Sequence, residues 1–165
     1  GAVSGADEIF ANAELGNADF VCSKTAQTGA LRRMIWLDRE GPIAYLEPFK
    51  ERLLARKVTR FDENNWWKWG RRHHVSDAPR IYVNQKTRRP RPFFLNDCRN
   101  YDGAILALFP HRRDAGLEGL RDLLNDVDWA ELGFVCDGRF LFAQRSLAQA
   151  LLPEDFAPFA TRALV

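Results

Sequence analysis

The chain has 165 residues, of which 46% are apolar, 28% charged and 12% aromatic. That composition excludes a disordered tail, and the length allows one domain with a sizeable core. No apolar run approaches the roughly 18 residues that cross a bilayer, and no basic-then-apolar leader opens the chain. Three scattered cysteines, Cys22, Cys98 and Cys136, give neither a disulfide framework nor a zinc motif. The expected setting is reducing and cytoplasmic, with no membrane partner. Gly1-Ala2 reads as a cleavage remnant, so the chain is expected to be a piece of a larger protein.

In chain order, Val3 to Phe10 reads as a glycine turn leading into a short apolar segment. Met34-Ile35-Trp36-Leu37 predicts a strand, ended by the turn signal Asp38 to Pro42. Pro48 in a first turn, then Phe49, Leu53 and Leu54 at helical spacing, predict a helix over 47–56. Short β-branched or aromatic runs predict strands at Arg80–Asn84, Phe93–Leu95 and Ala104–Phe109. Leu117, Leu120, Leu123, Leu124 and Val127 lay one apolar stripe along a helix over 115–127. Arg139–Phe142 predicts a last strand, and 146–152 a closing helix capped by Ser146 and stopped at Pro153. The set is α+β, with mixed or antiparallel central strands and peripheral helices, in a single domain over 1–165.

The formal net charge of +2 hides an asymmetry. Residues 1–49 carry a net −3, residues 50–113 a net +10 and residues 114–165 a net −5. A middle this basic between acidic flanks is suited to a polyanion. The alternative is a merely solvated basic face. Aromatic interleaving favours the first. Trp66-Trp67-Lys68-Trp69-Gly70-Arg71-Arg72-His73-His74 packs indoles, cations and imidazoles together, and Arg88-Arg89-Pro90-Arg91-Pro92-Phe93-Phe94 repeats the idea with proline stiffening. Cations of this kind contact phosphates and guanine edges, while rings stack on bases. At least one of Trp66, Trp67 and Trp69 is expected in the core, as large aromatics usually are.

Catalytic constellations are missing from the sequence. There is no Gly-x-Gly-x-x-Gly, phosphate-binding loop, Gly-x-Ser-x-Gly elbow or His-Glu-x-x-His. Adjacent His73 and His74 do not suit one metal, and His111 is far along the chain. The chain reads as a recogniser rather than a catalyst, with no catalytic, cofactor or metal residues of its own.

Several motifs, taken in order, resemble a known family. Val3-Ser4-Gly5-Ala6-Asp7-Glu8-Ile9-Phe10 is similar to the opening of the C-terminal target-recognition domain in Taq-type (gamma-class) adenine DNA methyltransferases. Leu46-Glu47-Pro48 and Arg56-Lys57-Val58-Thr59-Arg60-Phe61 resemble its next elements. Pro79-Arg80-Ile81-Tyr82-Val83 and Pro92-Phe93-Phe94-Leu95 resemble its strands. Leu120-Arg121-Asp122-Leu123-Leu124-Asn125 resembles a late helix, with Asp126 where that family has serine, and Arg139-Phe140-Leu141-Phe142 through Pro153 resembles its ending.

The resemblance implies a bilobal enzyme that moves a methyl group from S-adenosylmethionine to an exocyclic base amine, usually of adenine. It implies that this chain is the DNA-recognition lobe. The cofactor and the Asn-Pro-Pro-aromatic motif would belong to an N-terminal catalytic lobe of the same polypeptide. Double-stranded DNA is then the partner, gripped in a basic, ring-lined groove. The candidate contacts are Lys57, Arg60, Arg71, Arg72, Lys86, Arg88, Arg89 and Arg91, with Trp66, Trp67, His73 and His74 for stacking or filling space around an extruded base. Alternatives are a stand-alone nucleic-acid-binding or regulatory module and half of a restriction nuclease.

Overall fold

The computed structural model describes residues 5–36, 41–70, 76–112 and 116–159. The chain falls into two compact units, Gly1–Phe20 with Arg32–Val75, and Val21–Leu31 with Ser76–Val165.

The first unit opens with helix α1 (Gly5–Phe10). Strands β1 (Ala18–Val21) and β2 (Leu31–Met34) pair as a two-stranded sheet. The intervening α2 (Thr25–Thr28) is grouped with the second unit. The expected helix over 47–56 divides in two: a 3-10 segment, Ala44–Phe49, runs into helix α3 (Lys50–Leu54). Pro48 lies inside the 3-10 segment. Proline donates no backbone hydrogen bond, so regular α-helix begins only beyond it. The core is ring-dominated, with Phe10, Phe20, Trp66 and Trp67 buried beside Ile9, Met34, Ile35, Leu46 and Leu53. Half-buried Trp69 stacks on Phe10 and Phe20, each at 5.4 Å between ring centroids. Its indole N–H donates to the Ile35 carbonyl at 2.7 Å, so the polar edge of this ring is satisfied.

The second unit holds the remaining sheets. Strand β3 (Ile81–Asn84) is buried along its whole length. It is followed by β4 (Lys86–Thr87), β5 (Phe93–Phe94) and β6 (Ile105–Leu108). Strand β3 lies centrally between antiparallel β5 and β6, with Tyr82 opposite Phe94 and Ala107. Helix α4 (Leu117–Asp126) covers part of this sheet, burying Leu120 and Leu124 as the leucine stripe requires. Strands β7 (Val135–Cys136) and β8 (Arg139–Leu141) join β4 in a second antiparallel sheet of order β4-β8-β7.

Gln85 is where one extended segment changes sheets. Its N–H donates to Ala104 at the β6 side, and its carbonyl accepts from Phe142 at the β8 side. Beneath the two sheets Trp129 is fully buried, with Phe93, Phe134 and Phe142 within 5.5 Å between centroids. Its N–H donates to the Leu124 carbonyl at 2.8 Å.

The architecture is α+β, and both three-stranded sheets are antiparallel. One boundary moves. The closing helix, expected over 146–152, is α5 at Gln144–Ala148, with Ala143 at its N-cap and Ser146 inside it. Gln149 and Ala150 donate three residues back, to Ser146 and Leu147, which tightens and ends the helix. A separate 3-10 segment, Glu154–Phe159, follows Pro153 and buries Phe156. The hydrophobic run is thus shared between two short elements that meet the same core, because Leu147, Leu152 and Phe159 all pack there.

Candidate nucleic-acid interface

In the first unit, Lys57 and Arg60 are both exposed, on the segment that leaves α3. Arg56 fixes that segment. Its guanidinium lies 3.7 Å from the Phe61 ring centroid and 5.7 Å from that of Phe10. It donates to the Leu53 carbonyl at 2.8 Å, closing the end of α3, and to the Trp66 carbonyl at 2.7 Å. Burial draws its pKa down to about 10, so the group stays charged at neutral pH. An Asx turn, in which Asp62 accepts from the Asn64 N–H, completes the loop, with Asn65 accepting from the Asp62 N–H and donating to the Arg60 carbonyl. Arg56 is therefore a positioning group for Lys57 and Arg60. The sequence signal was the cation set between Phe49 and Phe61, which reads equally as surface charge.

The indoles need correcting as base-stacking candidates. Trp66 is 2% exposed and Trp67 5% exposed, packed edge to face at 5.9 Å. Neither offers a ring face to a base. Three indoles in four residues carry more apolar surface than a small unit can leave in water, so the core takes two and half-buries the third. Lys50 stands 5.5 Å from the Trp66 ring centroid and pairs with Glu63 at 2.7 Å. That hydrogen bond pushes the ammonium pKa up. Arg71, Arg72, His73 and His74 lie outside the described residues.

In the second unit, Lys86, Arg88, Arg89 and Arg91 are all exposed, on β4 and the loop that leaves it. Both ends of this loop are fixed. Gln85 holds one end between the two sheets. At the other, Pro92 and Phe93 are buried, and Asn125 grips Phe93 from both sides, accepting its N–H at 2.8 Å and donating to its carbonyl at 3.0 Å. The Asn125 amide thus imitates a strand neighbour for β5 at the end of α4. Pro90 and Pro92 restrict the chain between, so little entropy remains to be lost when a partner binds.

The cations differ in their bonds. Arg91 pairs with Asp126 at 2.9 Å, but with side chains 55% and 63% exposed the pair is solvent-screened. Arg88 reaches the carbonyls of Asp137 and Gly138 at 3.4 and 3.5 Å. Those two residues have φ of 53° and 72° and form a type I′ hairpin turn between β7 and β8. Asp137-Gly138 is the dipeptide such turns favour, and it was the signal by which β7 could have been found.

Arg80, by contrast, is 2% exposed. It donates to the carbonyls of Ser76, Ala78 and Arg99 and lies 4.7 Å from the Phe109 ring centroid. It ties together the entry to β3.

An apolar cavity of about 180 Å³ lies where β6, α4 and the last 3-10 segment meet, lined by Leu108, Phe109, Leu124 and Phe156, with His111 at its edge. It lacks convergent polar groups. Among the described residues no cluster of histidine, cysteine and acidic side chains could hold a metal ion, and no helix is long and apolar enough to cross a membrane. The three cysteines are free thiols, with Cys136 exposed. No family model, curated protein or solved structure matches the chain.

Proposed function

We propose that the chain is the DNA-recognition part of an S-adenosylmethionine-dependent DNA methyltransferase. It would bind duplex DNA sequence-specifically and present the target base, adenine, to a catalytic lobe that this chain does not contain. One observation carries the reading: Lys86, Arg88, Arg89 and Arg91 stand exposed on a short loop anchored at both ends and stiffened by two prolines. Such a loop presents several cations at small entropic cost, which is what contact with a phosphate backbone requires. The ordered motifs similar to the adenine methyltransferase recognition domain supply the enzyme class. The absence of catalytic motifs from the sequence agrees with a recognition role.

The rings contribute differently from the expectation. Phe93, Trp66 and Trp67 build the cores that hold the cationic segments, so binding draws on charge and on hydrogen bonds rather than on stacking by these side chains. Fluorescence anisotropy with labelled duplex DNA tests the reading. Neutralising about six phosphates gives a slope near −5 in log affinity against log salt. A flat response from low to physiological salt would refute DNA binding. For the enzyme class, the coding sequence upstream of Val3 should encode an Asn-Pro-Pro-aromatic motif, and the full-length protein should methylate genomic DNA. A start codon immediately upstream favours the stand-alone module instead.

A further inference from the structure

Two cations of the β4 segment, Lys86 and Arg88, are joined on the small β4-β8-β7 sheet by a third that the sequence pattern does not connect with them, Arg139. Phe140 and Phe142 pack into the Trp129 core. Strand alternation therefore turns Arg139 and Leu141 to the opposite face. Leu141 is paired with Lys86 and Phe140 with Thr87, so Lys86 shares the outward face with Leu141 and Arg139. The paired register ends at Thr87 and Phe140, and Arg88 follows directly. The contacts of Arg88 with the carbonyls of Asp137 and Gly138 hold it at that end of the hairpin.

Lys86 and Arg139 thus share one face, and Arg88 is held at the turn that leads into Arg139, so like charges gather around the hairpin end. Among the described residues no carboxylate pairs with any of them. The Arg139 Nε is also shut off from solvent without a hydrogen-bond partner among the described residues. A shielded N–H left unpaired is a standing cost. The turn beside it is a rigid type I′ turn, so the side chains cannot separate by moving the backbone freely. A polyanion laid across this face would relieve the repulsion.

We infer that Lys86, Arg88 and Arg139, around the Asp137–Gly138 tip, form a phosphodiester-binding surface for duplex DNA, with Arg139 at its centre. The inference rests on the DNA-binding reading and adds to it a residue and an element. The Asp137–Gly138 turn projects at the end of this three-stranded sheet, so its flanking cations can meet successive phosphates.

The test uses the full chain and a fluorescein-labelled mixed-sequence DNA duplex, titrated over a range of salt. Arg139→Ala should weaken binding about fivefold and make the salt slope shallower by about 1. Arg139→Lys should restore most of the affinity, because a phosphate accepts a point charge. Arg121→Ala, an equal charge change on α4, should leave affinity within about twofold. The melting temperature of Arg139→Ala should equal or exceed that of the parent, since repulsion is removed. Should that variant fold poorly, Arg88→Glu, in an exposed position, should abolish binding at a melting temperature equal to or above that of the parent. Salt-dependent binding by the parent with Arg88 and Arg139 variants unaltered overturns this surface and leaves the DNA reading standing. No binding by the parent overturns both. A heparin fragment bound as tightly as the duplex overturns the assignment to DNA.

Discussion

Two basic, ring-rich segments of this chain solve the same packing problem with opposite results for their charges. Around 56–69, the rings are so many that the charge nearest to them is drawn in: Arg56 lies on Phe61 and spends its hydrogen bonds on the carbonyls of Leu53 and Trp66. Around 86–94, the rings lie at one end of the segment. Phe93 goes into the core and Arg88 and Arg89 remain outside. In the first segment one guanidinium is thus taken into the scaffold while Lys57, Arg60 and Lys68 stay exposed, whereas rings that follow the cations leave an anchored loop with its cations exposed. The difference is physical. A guanidinium flanked by aromatics on both sides gains more from stacking against them than from full hydration, while one beyond the last ring keeps its water.

The largest expected effects test the scaffold side of this contrast. Trp129→Ala and Trp67→Ala should each lower the unfolding free energy by about 3–5 kcal/mol in urea titrations followed by circular dichroism. If Trp67 instead stacked on DNA, its loss would weaken binding and spare stability. On the loop side, Arg88→Ala with Arg91→Ala should weaken DNA binding about tenfold, with little change in stability because the Arg91–Asp126 pair is exposed. Lys57→Ala with Arg60→Ala should weaken it by a smaller factor, about threefold, as two phosphate-type contacts without an anchored loop between prolines. An effect larger than that of the Arg88 and Arg91 pair would reverse the ranking of the two segments.

Gly138→Ala places a side chain at a φ of 72°, and should cost about 1–2 kcal/mol measured by thermal melting. The smallest expected effect is in alkali. Burial raises the pKa of Tyr82, against the opposing charge of Arg80, and its hydroxyl donates to the Cys98 carbonyl at 2.5 Å. A raised folded-state pKa means that the folded chain holds its proton longer than the unfolded one. The stability from this group is therefore full below pH about 10 and falls as pH rises beyond it. Tyr82→Phe should flatten that alkaline decline in pH-dependent urea titrations.

Much of the fold was legible because burial leaves a period. The four buried residues of β3 and the leucine stripe of α4 follow patterns that any buried strand or helix must show. Strands of two residues such as β4 and β7 leave no period to read, and only the Asp137-Gly138 turn marked the second of them. Of the candidate contacts, the exposed arginines near Pro90 could be read because proline, charge and exposure go together. The expectation of at least one core indole understates the burial, since both Trp66 and Trp67 are in the core; a tryptophan pair reads the same in sequence inside a core and beside a base.

Composition and local pattern were enough for the α+β class and the basic middle. Which cations are held and which face solvent depends on packing between distant segments. Arg56 and Arg80 differ from Arg88 and Arg89 in their neighbours across the fold. A charge takes its role from the groups that replace its water, and those groups come from distant parts of the chain.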